Sequence, residues 1–294
     1  MILTKMAERK LDSTPTSLYL RNGKIYVGLK KKYAIETEYD VLILKKIPVE
    51  ENIRAIVGHE EGLLFFLDKG GLYGLSWGDD NAANRILFRK KIINTGLYDQ
   101  SSGRVVIGTS KGKVLVLNQS LEISKTFYES PSGIINLSVS DLGKVACIYE
   151  VDSSVKVFDL KHPEVKSVSL SNGFPQAIAF VGSTHLVVGG DSGELCVVDT
   201  TVMSIVSSLK IPQAVTVLLW KDGYLLIGGE NILYLSSVTE DHIEIIDSYE
   251  CNGFVNAVTL EDGYAVVGIG KEPRLGRWKV KKNGEHKLIV LKVG

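Results

Sequence analysis

The sequence predicts an all-β fold, a seven-bladed β-propeller with four antiparallel strands per blade. Three observations carry this. A tight turn with glycine recurs seven times, at Gly23, Gly62, Gly103, Gly143, Gly182, Gly223 and Gly263, with spacings of 39, 41, 40, 39, 41 and 40 residues. An apolar, β-branched run follows each turn. No helical periodicity of ten residues or more interrupts the pattern. A unit of about 40 residues holding four short strands cannot bury both sheet faces alone but can do so between two neighbours, which is the logic of a propeller.

Each element follows in order. The turns read Arg21-Asn22-Gly23, Glu60-Glu61-Gly62, Ser101-Ser102-Gly103, Asp141-Leu142-Gly143, Val181-Gly182-Ser183, Lys221-Asp222-Gly223 and Glu261-Asp262-Gly263. Asn-Gly and Asp-Gly tolerate the positive φ of a two-residue hairpin, so all seven are read as hairpin turns. The runs after them (KIYVGL, LLFFL, RVVIGT, KVACIY, HLVVGG, YLLIGG and YAVVGI) suit strands buried on both faces. Alternating third strands follow at VLVLN, VKVFD, LCVVD and ILYLS, and a more polar fourth run ends each unit. One domain over residues 1–294 is expected, with blades at about 16–52, 53–93, 94–133, 134–174, 175–213, 214–254 and 255–293. For ring closure, Lys287 to Val293 is favoured as the outer strand of the last blade over Ile2 to Lys10, because its period-two alternation is cleaner.

Composition narrows the function. The chain has 34 basic and 34 acidic residues, so only a local patch could attract nucleic acid. Cys147, Cys196 and Cys251 are far apart and lack C-x-x-C pairing, which suits reduced core thiols of an intracellular protein. The N-terminal stretch lacks the apolar core of a signal peptide, and the longest apolar run, Ala214 to Trp220, is too short to span a bilayer. A soluble protein without membrane partners is expected.

The five histidines stand singly, without metal-ligand spacing, and no motif calls for a cofactor. Carboxylate pairs such as Glu50-Glu51, Asp79-Asp80 and Glu240-Asp241 fall in turns, where solvated charge explains them. Gly268 and Gly270 do not open a dinucleotide loop, since the third glycine and the following helix are missing.

Charge placed on blades says more. The loops from second to third strand share one rim, and they carry Lys30, Lys31 and Lys32, then Lys69, Lys111 and Lys271 in consecutive units, against Glu150, Asp152 and Asp191 in units four and five. A basic arc beside an acidic arc is expected. The basic arc is what a phosphate backbone needs.

Phe158-Asp159 and Val198-Asp199 stand where a WD repeat carries Trp-Asp, so the chain resembles degenerate WD repeats. In the last unit Gly268, Gly270, Glu272, Arg274, Leu275, Gly276, Arg277 and Trp278 spell G-x-G-x-E-x-R-L-G-R-W. That string resembles the final repeat of the WD-repeat protein of the U3 small nucleolar ribonucleoprotein. Pro273 departs from the histidine common at its position in that family. The resemblance implies a non-catalytic, RNA-binding assembly protein of the nucleolus, acting in maturation of small-subunit ribosomal RNA. Its implied partners are U3 RNA, a small kink-turn-binding protein and proteins of the small-subunit processome. Aligning Leu275 to Lys279 with Val155 to Asp159 puts Trp278 between blades as a structural residue, and Gly276 at a close backbone approach. Arg277 either pairs internally or reaches a phosphate. Arg274 is expected to contact RNA directly, since a guanidinium suits phosphates and base edges. The competing readings are a WD-type protein scaffold in a ubiquitin-ligase, chromatin or trafficking complex, and an enzyme using carboxylates at the propeller mouth.

Overall fold

The computed structural model describes residues 1–77, 83–87, 92–100, 102–161, 164–170, 173–239, 242–274 and 279–294. After an N-terminal strand β1 (Leu3–Lys10), the first sheet comprises β2 (Pro15–Arg21), β3 (Lys24–Leu29), β4 (Tyr33–Thr37) and β5 (Ile43–Pro48). The second holds β6 (Ile53–His59), β7 (Gly62–Leu67), β8 (Gly71–Ser76) and β9 (Ala83–Leu87), and the third β10 (Ile93–Asp99), β11 (Arg104–Thr109), β12 (Lys113–Leu117) and β13 (Ile123–Glu129). The fourth holds β14 (Ile134–Val139), β15 (Lys144–Tyr149), β16 (Ser154–Asp159) and β17 (Val165–Ser169), and the fifth β18 (Pro175–Val181), β19 (His185–Gly190), β20 (Glu194–Asp199) and β21 (Ser204–Lys210). The remaining strands are β22 (Val215–Lys221), β23 (Tyr224–Val238), β24 (Ile243–Glu261), β25 (Tyr264–Gly270) and β26 (Lys287–Val293).

The expectation of seven separate four-stranded blades is corrected. The strands form six antiparallel sheets, five of four strands and one of six in the order β1-β26-β25-β24-β23-β22. The cause is β24, which runs unbroken through the boundary expected near residue 254. Its first part pairs with β23, from Val238↔Ile243 to Glu230↔Phe254, and its second with β25, from Phe254↔Gly270 to Glu261↔Tyr264. Gly253, at φ +146°, carries the chain through where a side chain would be strained. The large sheet folds back on itself, so Leu226, Leu233 and Leu235 pack against Val255, Val258 and Ile289.

Closure also differs from expectation. Beside β25 stands β26, in the third place that the alignment gave to Leu275 to Lys279. The outer place belongs to β1, paired with β26 from Leu3↔Val293 to Lys10↔Lys287. Both termini are therefore used, and the N-terminal strand is outermost. The long excursion from 271 to 286 displaced the third strand beyond the 40-residue period, which is why the alignment assigned it wrongly.

Hairpin turns and buried strands follow the sequence closely. Asn22, Asp222 and Asp262 sit at φ 51°, 53° and 52°, each followed by a positive-φ glycine, as a type I′ hairpin requires. Gly62 alone of the seven lacks a positive φ; there the missing side chain makes room for the backbone of Leu75 instead. The core lies between neighbouring sheets. Ala146, Ile148 and Val157 meet Ile178, Leu186 and Val198, for example, while Val27 and Ile35 meet Val266 and Val290 to close the ring. Phe158, at the WD tryptophan position, is buried and stacks on Phe127 of the preceding sheet at 5.0 Å. Asp199, at the aspartate position, accepts from the backbone N–H and hydroxyl of Thr201 at 2.7 and 2.6 Å, and the hydroxyl chiefly holds its carboxyl below the usual range.

The strands facing the channel share one irregularity. In β2, β6, β10, β14, β18, β22 and β24 the register shifts by one residue, leaving Thr16, Arg54, Asn94, Ile135, Gln176, Thr216 and Asn256 out of the ladder. A bulge frees that residue's polar backbone and re-aims its side chain. Three of these side chains stitch one unit to the next: Thr16 Oγ1 donates to Ile53 O, Asn94 Nδ2 to Ile134 O and Thr216 Oγ1 to Val255 O.

Candidate nucleic-acid interface

The excursion between β25 and β26, described at 271–274 and 279–286, belongs to the rim that carries the loops between second and third strands. At its start, Lys30 Nζ meets Glu272 Oε1 at 2.9 Å and donates to Pro273 O at 3.1 Å. Both side chains are largely buried, 19% and 16% exposed. Lys30 thus docks the excursion onto the first sheet and is not a free rim cation. Lys271 lies close by: its backbone N–H donates to His286 Nδ1 at 3.4 Å, and Thr14 Oγ1 lies 3.4 Å from the same nitrogen. Burial first, then the charge of Lys271, holds the His286 imidazole below its ordinary pKa. At the far end Lys279 Nζ pairs with Glu230 at 2.5 Å and Lys281 Nζ donates to Asn231 Oδ1.

Arg274 reaches inward. It donates from one terminal nitrogen to Ile135 O at 3.0 Å and from the other to Asn94 O at 3.5 Å, both carbonyls of bulge residues across the channel. Its side chain keeps some surface toward the channel but is enclosed by protein, and burial, reinforced by the charge of Arg54, lowers its pKa to about 10. It belongs to the channel and not to the rim.

The remaining lysines divide. Lys31 pairs with Asp12 at 2.9 Å, and Tyr33 donates to the same carboxylate oxygen at 2.5 Å. That hydrogen bond from Tyr33 is the largest cause of the lowered Asp12 pKa, while burial and Asp12 push the Tyr33 phenol up to about 12. Lys31 and Lys46 both lie over the Tyr33 ring, at 5.9 and 4.7 Å. This cation-flanked tyrosine escaped the sequence reading, although it directly follows the three lysines. Lys32, Lys69 and Lys111 are exposed. Lys30 and Lys271 come together around His286, whereas no contact among the described residues joins Lys111 to them.

Two signature glycines have packing roles. A side chain at Gly268 would strike Pro15 of the next unit, just as one at Gly28, Gly108 or Gly189 would strike Ile53, Ile134 or Val215. Gly268 is thus a feature of the repeat. Gly270 leaves room for Thr14 and Asn256, whose Nδ2 donates to Glu272 O at 2.9 Å. Leu275, Gly276, Arg277 and Trp278 lie outside the described residues.

On the opposite arc, Glu150 and Asp191 are exposed and line a cavity of about 540 Å³ with Phe174, Gln176 and Arg274. Asp191 also accepts from the N–H of Phe174 at 2.9 Å. Val151 and Phe174 are exposed between the acidic residues. Cys147 and Cys196 are buried and Cys251 half-buried, and burial raises their thiols to about 12, 11 and 12. Among the described residues no helix is long and apolar enough to cross a membrane, and no group of three or more His, Cys, Asp or Glu is placed to hold a metal.

No family model matches this chain, and no curated protein does. Among solved structures it is similar to U3-55K, at TM-score 0.87 and 14% identity over 97% of each chain. It is similar to the RRP9 WD40 repeats, at TM-score 0.89 and 13% identity over 99% of this chain and 100% of that one. It is also similar to a chain of the Mitotic Checkpoint Complex, at TM-score 0.83 and 12% identity over 99% of this chain and 92% of that one. At such identities the likeness is one of fold, and the structural neighbours include two WD-repeat proteins of U3 ribonucleoprotein type.

Proposed function

We propose that this chain is a non-catalytic, RNA-binding assembly subunit of a U3-type small nucleolar ribonucleoprotein, acting in the nucleolus in maturation of small-subunit ribosomal RNA. The observation that carries the reading is a conjunction. A fold match to U3-55K and RRP9 over nearly the whole chain coincides with the G-x-G-x-E-x-R-L-G-R-W string in the last unit. The RNA face is the rim from Lys271 through Lys31, Lys32 and Lys111, with Tyr33 between Lys31 and Lys46 offering a ring face to a base. Arg277 is a further candidate. U3 RNA and a kink-turn-binding protein are the partners there. The acidic arc of Glu150, Asp152 and Asp191, interleaved with exposed Val151 and Phe174, suits processome proteins.

A protein scaffold is the second reading, favoured by the comparable likeness to a chain of the Mitotic Checkpoint Complex. Pull-down from cell extract followed by RNA sequencing separates the two. Enrichment of U3 RNA supports the first, and recovery of proteins with no RNA above background removes it.

A further inference from the structure

Two arginines share the central channel. Arg54, the bulge residue of β6, and Arg274, from the excursion of the last unit, line one cavity of about 340 Å³. Ser17, Thr95, Asn136 and Asn256 line it too, so its walls are rich in hydroxyl and amide groups.

Neither guanidinium is neutralised within the described residues. Arg274 spends two donors on the backbone carbonyls of Asn94 and Ile135 and makes no ion pair; Glu150 and Asp191, which share the outer cavity with it, do not bond to it. Among the described residues Arg54 has no hydrogen-bond partner, and its Nε is buried. At the equivalent bulges Thr16, Asn94 and Thr216 each bond a carbonyl of the next unit, whereas Arg54, like Ile135 and Gln176, makes no such stitch. Ser17 Oγ, on the same wall, is also buried without a partner. Unpaired donors and like charges that share one channel oppose folding unless an anion joins them.

We propose that the channel binds a small phosphate-class oxyanion, inorganic phosphate or a phosphate monoester, between Arg54 and Arg274. Two planar guanidinium forks match the oxygens of a tetrahedral dianion, and two positive charges match its charge. The hydroxyl of Ser17 and the amide of Asn136 line the remaining wall, and Asn256, also there, already donates its Nδ2 to Glu272 O. The cavity has room for the ion and a short substituent. This site is internal, so it does not depend on the RNA reading of the rim.

The test is calorimetric titration of the whole chain with inorganic phosphate and, separately, with glycerol phosphate, in a chloride buffer of matched ionic strength, alongside thermal melting. Phosphate stabilises many proteins weakly by exclusion from their surface, so saturation and the variant are decisive. Saturable heat is expected for wild type, with a melting rise of about 5 °C at one hundred times the dissociation constant. Binding of inorganic phosphate identifies the free ion as sufficient, and binding of glycerol phosphate alone identifies a monoester. Both should be lost in Arg54→Gln. In phosphate-free buffer that variant should melt no lower than wild type, because it removes half of an unneutralised pair. Absence of saturable heat with either probe on wild type overturns the proposal even if the variant fails to fold. Equal titration of wild type and Arg54→Gln overturns it as well.

Discussion

Lys30 Nζ and Glu272 Oε1 lie 2.9 Å apart, joining the first sheet to the excursion of the last unit across a sequence separation of 242 residues. Both side chains are mostly out of water, so removing one takes a charged partner from the other. Lys30→Ala and Glu272→Ala should each cost about 1–3 kcal/mol. In a double-mutant cycle their effects should be non-additive by at least about 0.5 kcal/mol. Urea denaturation measures this; additive losses would mean that the pair does not form in solution.

Lys32 and Lys111 are exposed and should behave otherwise. Their joint replacement by Ala should change stability by no more than about 0.5 kcal/mol per site. Affinity for U3 RNA should fall, and the slope of log affinity against log salt should flatten by up to about 0.9 per lost phosphate contact on duplex and about 0.7 on single strands. Filter binding across a salt series decides; an unchanged slope removes these lysines from the interface.

Phe158 should matter for assembly of the ring. It is buried and stacked on Phe127 across two sheets, so Phe158→Ala opens a cavity that neither rigid sheet can collapse into. A loss of about 3–5 kcal/mol is expected. A melting temperature within error of wild type would show that the sheets repack.

His286 gives a pH signature. Its folded-state pKa is depressed by burial and by Lys271, so the unfolded chain takes the proton first as pH falls. The stability that this site contributes is complete above the ordinary value of 6.5 and is lost as pH drops from there toward the folded-state value. Urea midpoints measured between about pH 7.5 and 5.5 should fall less for His286→Asn than for wild type. Parallel profiles would show that the ring takes up its proton over the same pH range folded and unfolded.

What the sequence determined by itself is local. The repeat near 40 residues, the type I′ turns at Asn22-Gly23, Asp222-Gly223 and Asp262-Gly263, and the doubly buried second strands all follow from φ preferences and apolar runs within a few residues of chain. The aromatic wedge at Phe158 was legible for the same reason, because the WD position is fixed by the strand that carries it. What only the tertiary structure decided depends on partners far apart in sequence. Hydrogen bonding through β24 merged two units into one sheet, because Gly253 lets a strand continue where composition marked an end. Closure by β1 outside β26 could not be read from alternation, since both segments alternate and only the excursion's length chooses between them. Lys30 and Arg274 are expected as contacts for RNA from residue type and loop position, and only the ring brings Glu272 beside one and the carbonyls of two bulge residues beside the other. Arg54 carries no signal within Ile53–His59, because the lack of a partner for its Nε becomes visible only when the bulged strands surround one channel.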